Sequence, residues 1–179
     1  MCSSDLGAAH KAVWELNEQY QQQGMVSSGA AVVCGLIRDR WMSFSSVGNV
    51  RIFLVRKGVL LQLNRDHLLS LEAEERDILR GEAPELDPEW AKRLTAFLGM
   101  DGLQKVDYQY TPVILVPRDR ILVISSGLYG AVDEDEMAEI AGLPDPQQAA
   151  ETLIQRIRGT NPASQSNISA AVIRIGPDR

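Results

Sequence analysis

Residues able to do chemistry are few in this chain. Two histidines, His10 and His67, and two cysteines, Cys2 and Cys34, are the whole supply of imidazole and thiol. That is too little for a disulfide framework or a zinc site, and it leaves nucleophile triads poorly provided. His10 sits among polar neighbours in a stretch of helical spacing and is expected to be exposed. His67 follows Asp66 in a loop after a strand-like run. An Asp-His pair can serve as acid and base, but in such a loop it more often fixes a hydrogen bond. Asp133-Glu134-Asp135-Glu136 could be read as a metal cluster. Acids that open a helix also answer its macrodipole, and that is the reading adopted. No glycine loop of the Walker or Rossmann kind occurs. Spacing alone assigns no reaction.

The elements that must position these residues are clearer. With 179 residues, 45% of them apolar and 23% charged, the chain reads as a globular protein of one domain. Eighteen basic residues against 24 acidic ones leave a formal charge of −6, which argues against a general nucleic-acid binder. The longest apolar run, Gly29 to Ile37, falls short of the roughly 20 residues of a membrane helix. No membrane partner is expected, and the expected location is cytoplasmic. Residues 1–6, Met-Cys-Ser-Ser-Asp-Leu, lack the features of a signal peptide. They match the conceptual translation of a common sequencing adapter, so a non-native tail is expected before a domain spanning residues 7–176.

Val13, Leu16 and Tyr20 recur at helical spacing from Ala9 to Gln23, with Gly24 as a stop. Ala30 to Ile37 suits a buried strand, Arg38-Asp39-Arg40 a turn, and Trp41 to Val47 alternates. Arg51 to Val55 and Val59 to Leu63 flank Arg56-Lys57-Gly58, a hairpin whose glycine takes positive φ. These strands, with no helix between them, predict an antiparallel sheet. Ser70 is expected to cap a helix running to Arg80. Asp87-Pro88-Glu89 predicts another that sets Trp90, Leu94, Phe97 and Leu98 on one side and stops at Gly99. Val106 to Thr111, Val113 to Val116 and Ile121 to Ser125 form a second antiparallel block, with Arg118-Asp119-Arg120 as a turn. Asp133 with Glu136 opens a helix through Ala141, and Asp145-Pro146 opens one ending at Gly159. Ile168 to Ile175 is a last strand. Runs of strands followed by runs of helices make an α+β layout.

The order of short motifs says more. Gly48-Asn49-Val50-Arg51 precedes the hairpin, and Leu63-Asn64-Arg65-Asp66-His67 closes it. Arg93 to Gly99, Ile121-Leu122-Val123-Ile124-Ser125-Ser126-Gly127-Leu128 and Ser166-Asn167-Ile168-Ser169 follow. This series resembles the C-terminal two-thirds of the PPM-type phosphatases, the metal-dependent protein phosphatase 2C family of serine/threonine phosphatases. There the stretches read Gly-Asp-Ser-Arg, Thr-x-Asp-His, a helix-ending Leu-Gly, Leu-Leu-x-Ser-Asp-Gly-Leu and Asp-Asn-x-Thr. Gly29-Ala30-Ala31 stands where that family shows Gly-Thr-Thr or Gly-Ser-Thr. The resemblance covers about residues 24 to 175. It implies a two-sheet antiparallel β-sandwich flanked by helices, the phosphatase 2C-like αββα arrangement, here with its N-terminal strands missing. It also implies a site for two manganese or magnesium ions, whose bridging water attacks a phosphoserine or phosphothreonine of a phosphoprotein. Two divalent cations offset phosphate charge and acidify water, and hard oxygen ligands hold them.

The match breaks at the acids. Ser126 stands at one family metal-ligand position and Ser166 at another, and Asn49 replaces the acid of Gly-Asp-Ser-Arg. A hydroxyl carries no charge and is a poor substitute for a carboxylate on a divalent cation. What remains of the motifs is scaffold: Gly48, Arg51, Asp66, His67, Gly99, Gly127 and Asn167. Turn and packing roles are expected for these, and polar loop roles for Ser125, Ser126, Ser166 and Ser169. No catalytic residue, no metal ligand and no cofactor is therefore expected of this chain. The expected function is a pseudophosphatase that binds a phosphoprotein or regulates. The alternatives are a working phosphatase that recruits Asp133 or Asp135 together with upstream acids, and a structural module. Loss of strands would leave an open sheet edge, from which self-association is expected.

Overall fold

The computed structural model describes residues 2–80, 87–103, 105–128, 131–158 and 167–177, with side chains from residue 5 onward. The elements are α1 (Cys2–Gln22), β1 (Val32–Arg38), β2 (Trp41–Val47), β3 (Arg51–Arg56), β4 (Val59–Gln62), α2 (Leu69–Arg80), α3 (Pro88–Ala91), β5 (Asp107–Tyr108), β6 (Val113–Ile114), β7 (Arg120–Ile124), α4 (Glu134–Ala141), α5 (Pro146–Arg158) and β8 (Ala170–Arg174). They form two antiparallel sheets flanked by helices, the α+β class expected. One sheet has the order β1-β2-β5, with β6 also beside β2; the other runs β4-β3-β7-β8. The four strands at residues 32–62 are thus two hairpins in different sheets rather than one sheet. The hairpin turn at Lys57 and Gly58 takes positive φ at both residues, 54° and 79°, as a tight right-twisting hairpin requires.

The chain divides into two compact units. The first holds α1, most of β1, the end of β2, α2, α3 and β5. Its core joins Val47, Ala96 and Leu98, with Val13, Val32, Met100 and Leu103 against them. The helix α1 starts earlier than the sequence pattern suggested, at Cys2, and buries Leu6. Ser70 does not cap α2, because the helix already includes Leu69 and the Glu72 amide bonds back to the Leu68 carbonyl.

The expected helix from Pro88 to Leu98 is only α3, a single turn. Asp87 caps it, accepting from the Glu89 amide at 2.8 Å. Beyond it the backbone amides go elsewhere: Thr95 N–H donates to the His67 carbonyl, and Leu98 exchanges bonds with Ala30. Pairing with two other segments satisfies the amides that a helix would have used, so tertiary pairing overrides the apolar spacing.

The second unit holds the start of β2, together with β3, β4, β6, β7, α4, α5 and β8. The helices α4 and α5 press Met137, Ala141, Leu153 and Ile157 onto Phe53, Val55, Leu122 and Ile124 of the sheet. Burying each large apolar side chain contributes roughly 1.5–3 kcal/mol, so this face anchors the C-terminal end of β7 firmly. Asp133 and Asp145 cap the two helices, accepting from the Glu136 and Gln147 amides at 2.7 and 3.0 Å.

Candidate functional site

In the first unit, Gly48 follows β2 with φ +92°, and an added Cβ would overlap the Cα and Cβ of Ala31. Glycine there answers both the backbone twist and the close approach of Ala31. His67 is buried and bonds Gly48 twice: its Nδ1 accepts from the Gly48 amide at 3.0 Å, and its own amide donates to the Gly48 carbonyl at 2.9 Å. An accepting Nδ1 requires a neutral ring with the proton on Nε2. Burial favours that state and holds the imidazole below its usual range; Asp107 and Glu72 pull it up, while Lys105 and Arg65 push it down. Asp66 is buried beside it in sequence, and Asn49 is half-buried. The hydrogen-bonding role expected of His67 therefore holds.

His67 lines a cleft of about 410 Å³ with Arg65, Glu72, Glu75, Lys105 and Asp107. Its charges answer one another: Lys105 bridges Glu72 at 2.7 Å, Arg65 pairs with Glu75, and the Arg65 amide donates to Asp107 at 2.8 Å. Burial alone would raise the Glu72 carboxyl, but the Lys105 ammonium beside it outweighs burial and keeps the group below its ordinary value. The other histidine departs from expectation. His10 is half-buried, and its Nδ1 accepts from the Gly99 amide at 3.2 Å. Beside it Asn17, which the sequence reading passed over, clamps the Ser28 carbonyl and amide, each at 2.7 Å, and the Gly99 carbonyl at 3.0 Å. Only its regular place on α1 foretold it.

In the second unit, Arg51 opens β3 opposite Ile124. Asn64 holds this strand start, donating to the Val50 carbonyl at 2.8 Å and accepting from the Ile52 amide at 2.9 Å. Ser125, Ser126, Gly127 and Asn167 gather where β7 ends and β8 begins. The Ser125 hydroxyl donates to the Asn167 carbonyl at 3.1 Å and accepts from the Ser169 amide at 2.9 Å, and the Ser125 amide donates to the Ser169 carbonyl. With donor and acceptor both engaged by backbone, this hydroxyl is a clamp between strands rather than a nucleophile. Ser126 opens a 3-10 turn, Ser126–Leu128, directly after it, and Ser166 lies outside the described residues.

No group of three or more His, Cys, Asp or Glu side chains that could hold a metal ion occurs among the described residues. At the positions where the resemblance implies acids, Asn49 and Ser126 each offer a neutral oxygen, which does not fit a hard divalent cation. Asp133 is committed to its cap on α4. Among the described residues, no helix is long and apolar enough to cross a membrane.

No family model and no curated protein matches the chain. Solved structures do. PppA, a regulatory component from Pseudomonas aeruginosa, superposes with a TM-score of 0.77 at 21% identity, covering 94% of this chain and 67% of that one. The serine/threonine phosphatase of S. agalactiae gives 0.75 at 20% identity, covering 95% and 68%. The catalytic domain of the phosphatase PstP, solved with two manganese ions, gives 0.69 at 20% identity, covering 96% and 70%. This chain thus spans about two thirds of the length of the phosphatase chains it matches. At such identities the likeness concerns architecture, and the chain has the fold of the PPM-type serine/threonine phosphatases.

Proposed function

We propose that this chain is a pseudophosphatase module: a phosphatase 2C-like domain, with degenerate metal motifs, that binds a phosphoprotein or regulates instead of hydrolysing phosphoester. The observation that carries the reading is Ser126. It follows β7 at the position where the resemblance places a metal-binding aspartate, and Asn49 makes a second neutral replacement. Two changes from acid to neutral at separated positions remove the charge that binding a divalent pair depends on. Hydroxyl and amide groups can still hydrogen-bond a phosphoryl group, which suits recognition without turnover.

The test is calorimetric titration of the chain with manganese and magnesium, run beside release of p-nitrophenol from p-nitrophenyl phosphate. The expected result is no saturable heat below about millimolar metal, the range of weak oxygen sites, and no metal-dependent release. Saturable manganese binding accompanied by metal-dependent hydrolysis would overturn the proposal in favour of a working phosphatase.

A further inference from the structure

The tripeptide Arg-Asp-Arg occurs twice, at residues 38–40 and 118–120. In the second unit both copies lie at turns on the end of the strands away from Ser125. Arg38 and Arg40 flank the β1–β2 turn, Arg56 and Lys57 begin the β3–β4 turn, Arg118 and Arg120 sit at the start of β7, and Arg174 ends β8. Direct contacts hold part of the set in place. Arg40 Nη1 donates to the Gly176 carbonyl at 3.2 Å, the Arg118 amide donates to the Ile175 carbonyl, and Arg56 forks onto Asp119 at 2.7 and 3.0 Å. Among the described residues of this end, seven basic residues thus stand with two acids, Asp39 and Asp119, in a chain whose formal charge is −6.

One feature costs stability without an internal return. Arg120 is 8% exposed. Among the described residues, its Nη atoms reach only the carbonyls of Arg118, Asp119 and Leu143, its Nε has no partner, and no carboxylate pairs with it. Directly across the ladder stands a second cation, Arg174. Ile175 and Ser169 bond to β7, so Arg120 and Arg174 form the alternate, non-hydrogen-bonded pair, in which side chains lie closest. Like charges so placed repel, and a buried cation without a counter-ion is disfavoured.

We propose that this end of the second unit docks an acidic segment of a partner protein, whose carboxylates supply the counter-charge the fold withholds from Arg120 and Arg174. Four strands at about 4.8 Å spacing make a face roughly 15 Å wide, the span of about four or five extended residues. A short acidic segment ends within such a face, whereas a nucleic acid would run on over an otherwise acidic surface and be repelled. This inference is independent of the pseudophosphatase reading, because it uses none of the residues around Ser125.

The probe is a fluorescein-labelled hexaglutamate peptide, titrated with the full chain and followed by anisotropy at about 50 mM salt, where surface charge is only partly screened. Saturable binding is expected, with at least a tenfold loss in an Arg38→Glu, Arg174→Glu double variant and no change in Lys11→Glu on α1. Arg174→Glu alone sets a carboxylate against Arg120, so its thermal midpoint should hold or rise while peptide affinity falls. A folding defect would move both downward together. Absence of saturable binding, equal binding by the double variant, or tighter binding of a single-stranded oligonucleotide of equal charge would each overturn the proposal. So would salt-sensitive self-association without peptide binding, which would make a second copy the occupant.

Discussion

Asp119 is the carboxylate on which the turn end of the second sheet depends, and Asp119→Asn tests how much. Its side chain is 2% exposed; it accepts from Arg56 Nε and Nη2 at 3.0 and 2.7 Å and from the Val116 amide at 2.7 Å. Burial alone would raise its pKa, but Arg56 and the Val116 amide outweigh it and hold the carboxyl below its ordinary value. Asparagine keeps the shape, loses the charge, and turns an NH2 toward one of three donors. Breaking a buried pair costs about 3–5 kcal/mol when the surviving charge stays buried. Here the Arg56 side chain is 39% exposed and rehydrates, so the cost falls to the scale of a charge-assisted hydrogen bond, about 1.5–3 kcal/mol. With a urea slope of about 2 kcal/mol/M, the midpoint read by circular dichroism should fall by about 1 M. The sign with pH follows from linkage. A depressed carboxyl stabilises above its unfolded pKa of 3.8, and that contribution is lost as pH falls through the lower folded value. The gap between wild type and Asp119→Asn should therefore close below about pH 3.8. A variant within about 0.5 kcal/mol of wild type at neutral pH, the range of ordinary surface changes, would refute the reasoning.

His67 gives a second pH signature. Its folded pKa lies below 6.5 because the ring is buried and Nδ1 is spent on Gly48, so the neutral form stabilises above about pH 6.5, and stability is lost as pH falls from there toward the folded value. The thermal midpoint should decline between about pH 7 and pH 5.5, above the ordinary carboxylate range. His67→Gln should flatten that decline, and an unchanged slope would place the titration elsewhere. Self-association has its own probe in β8, which carries no strand on its outer side among the described residues. The Val172 amide points toward that outer side, since alternate residues of β8 bond to β7. Val172→Pro should thus block added strands without breaking an internal bond. Gel filtration at two concentrations should show oligomers for wild type that the variant loses, and a wild-type monomer at both would remove the edge as a contact.

Much of the fold was legible because local rules and tertiary packing agreed. Gly58, Asp133 and Asp145 each carry a turn or cap whose chemistry is complete within a few residues, and each does what its type foretells. The alternation and apolar runs of β2, β3 and β7 likewise mark strands without ambiguity. Residues 92–98 were misread for the opposite reason. Their apolar spacing suits a helix, but their amides are taken by Ala30 and His67, partners distant along the chain. Of the candidate residues, His67 was legible as a hydrogen-bonding residue. The roles of Asn17, Asn64 and Asp119 were not, since an asparagine or aspartate in a turn carries no mark of the distant backbone it will hold.

By itself, then, the sequence determined the α+β class, the strand and helix inventory in outline, and the presence of neutral side chains at Asn49, Ser126 and Ser166. Those are matters of residue type and short-range spacing. Only the tertiary structure decided which hairpin joins which sheet, that Ser125 spends its hydroxyl joining β7 to β8, and that Arg120 stands across the ladder from Arg174. Strand pairing sets those outcomes, and pairing is a contest among distant segments for the same backbone donors and acceptors, which no local pattern records.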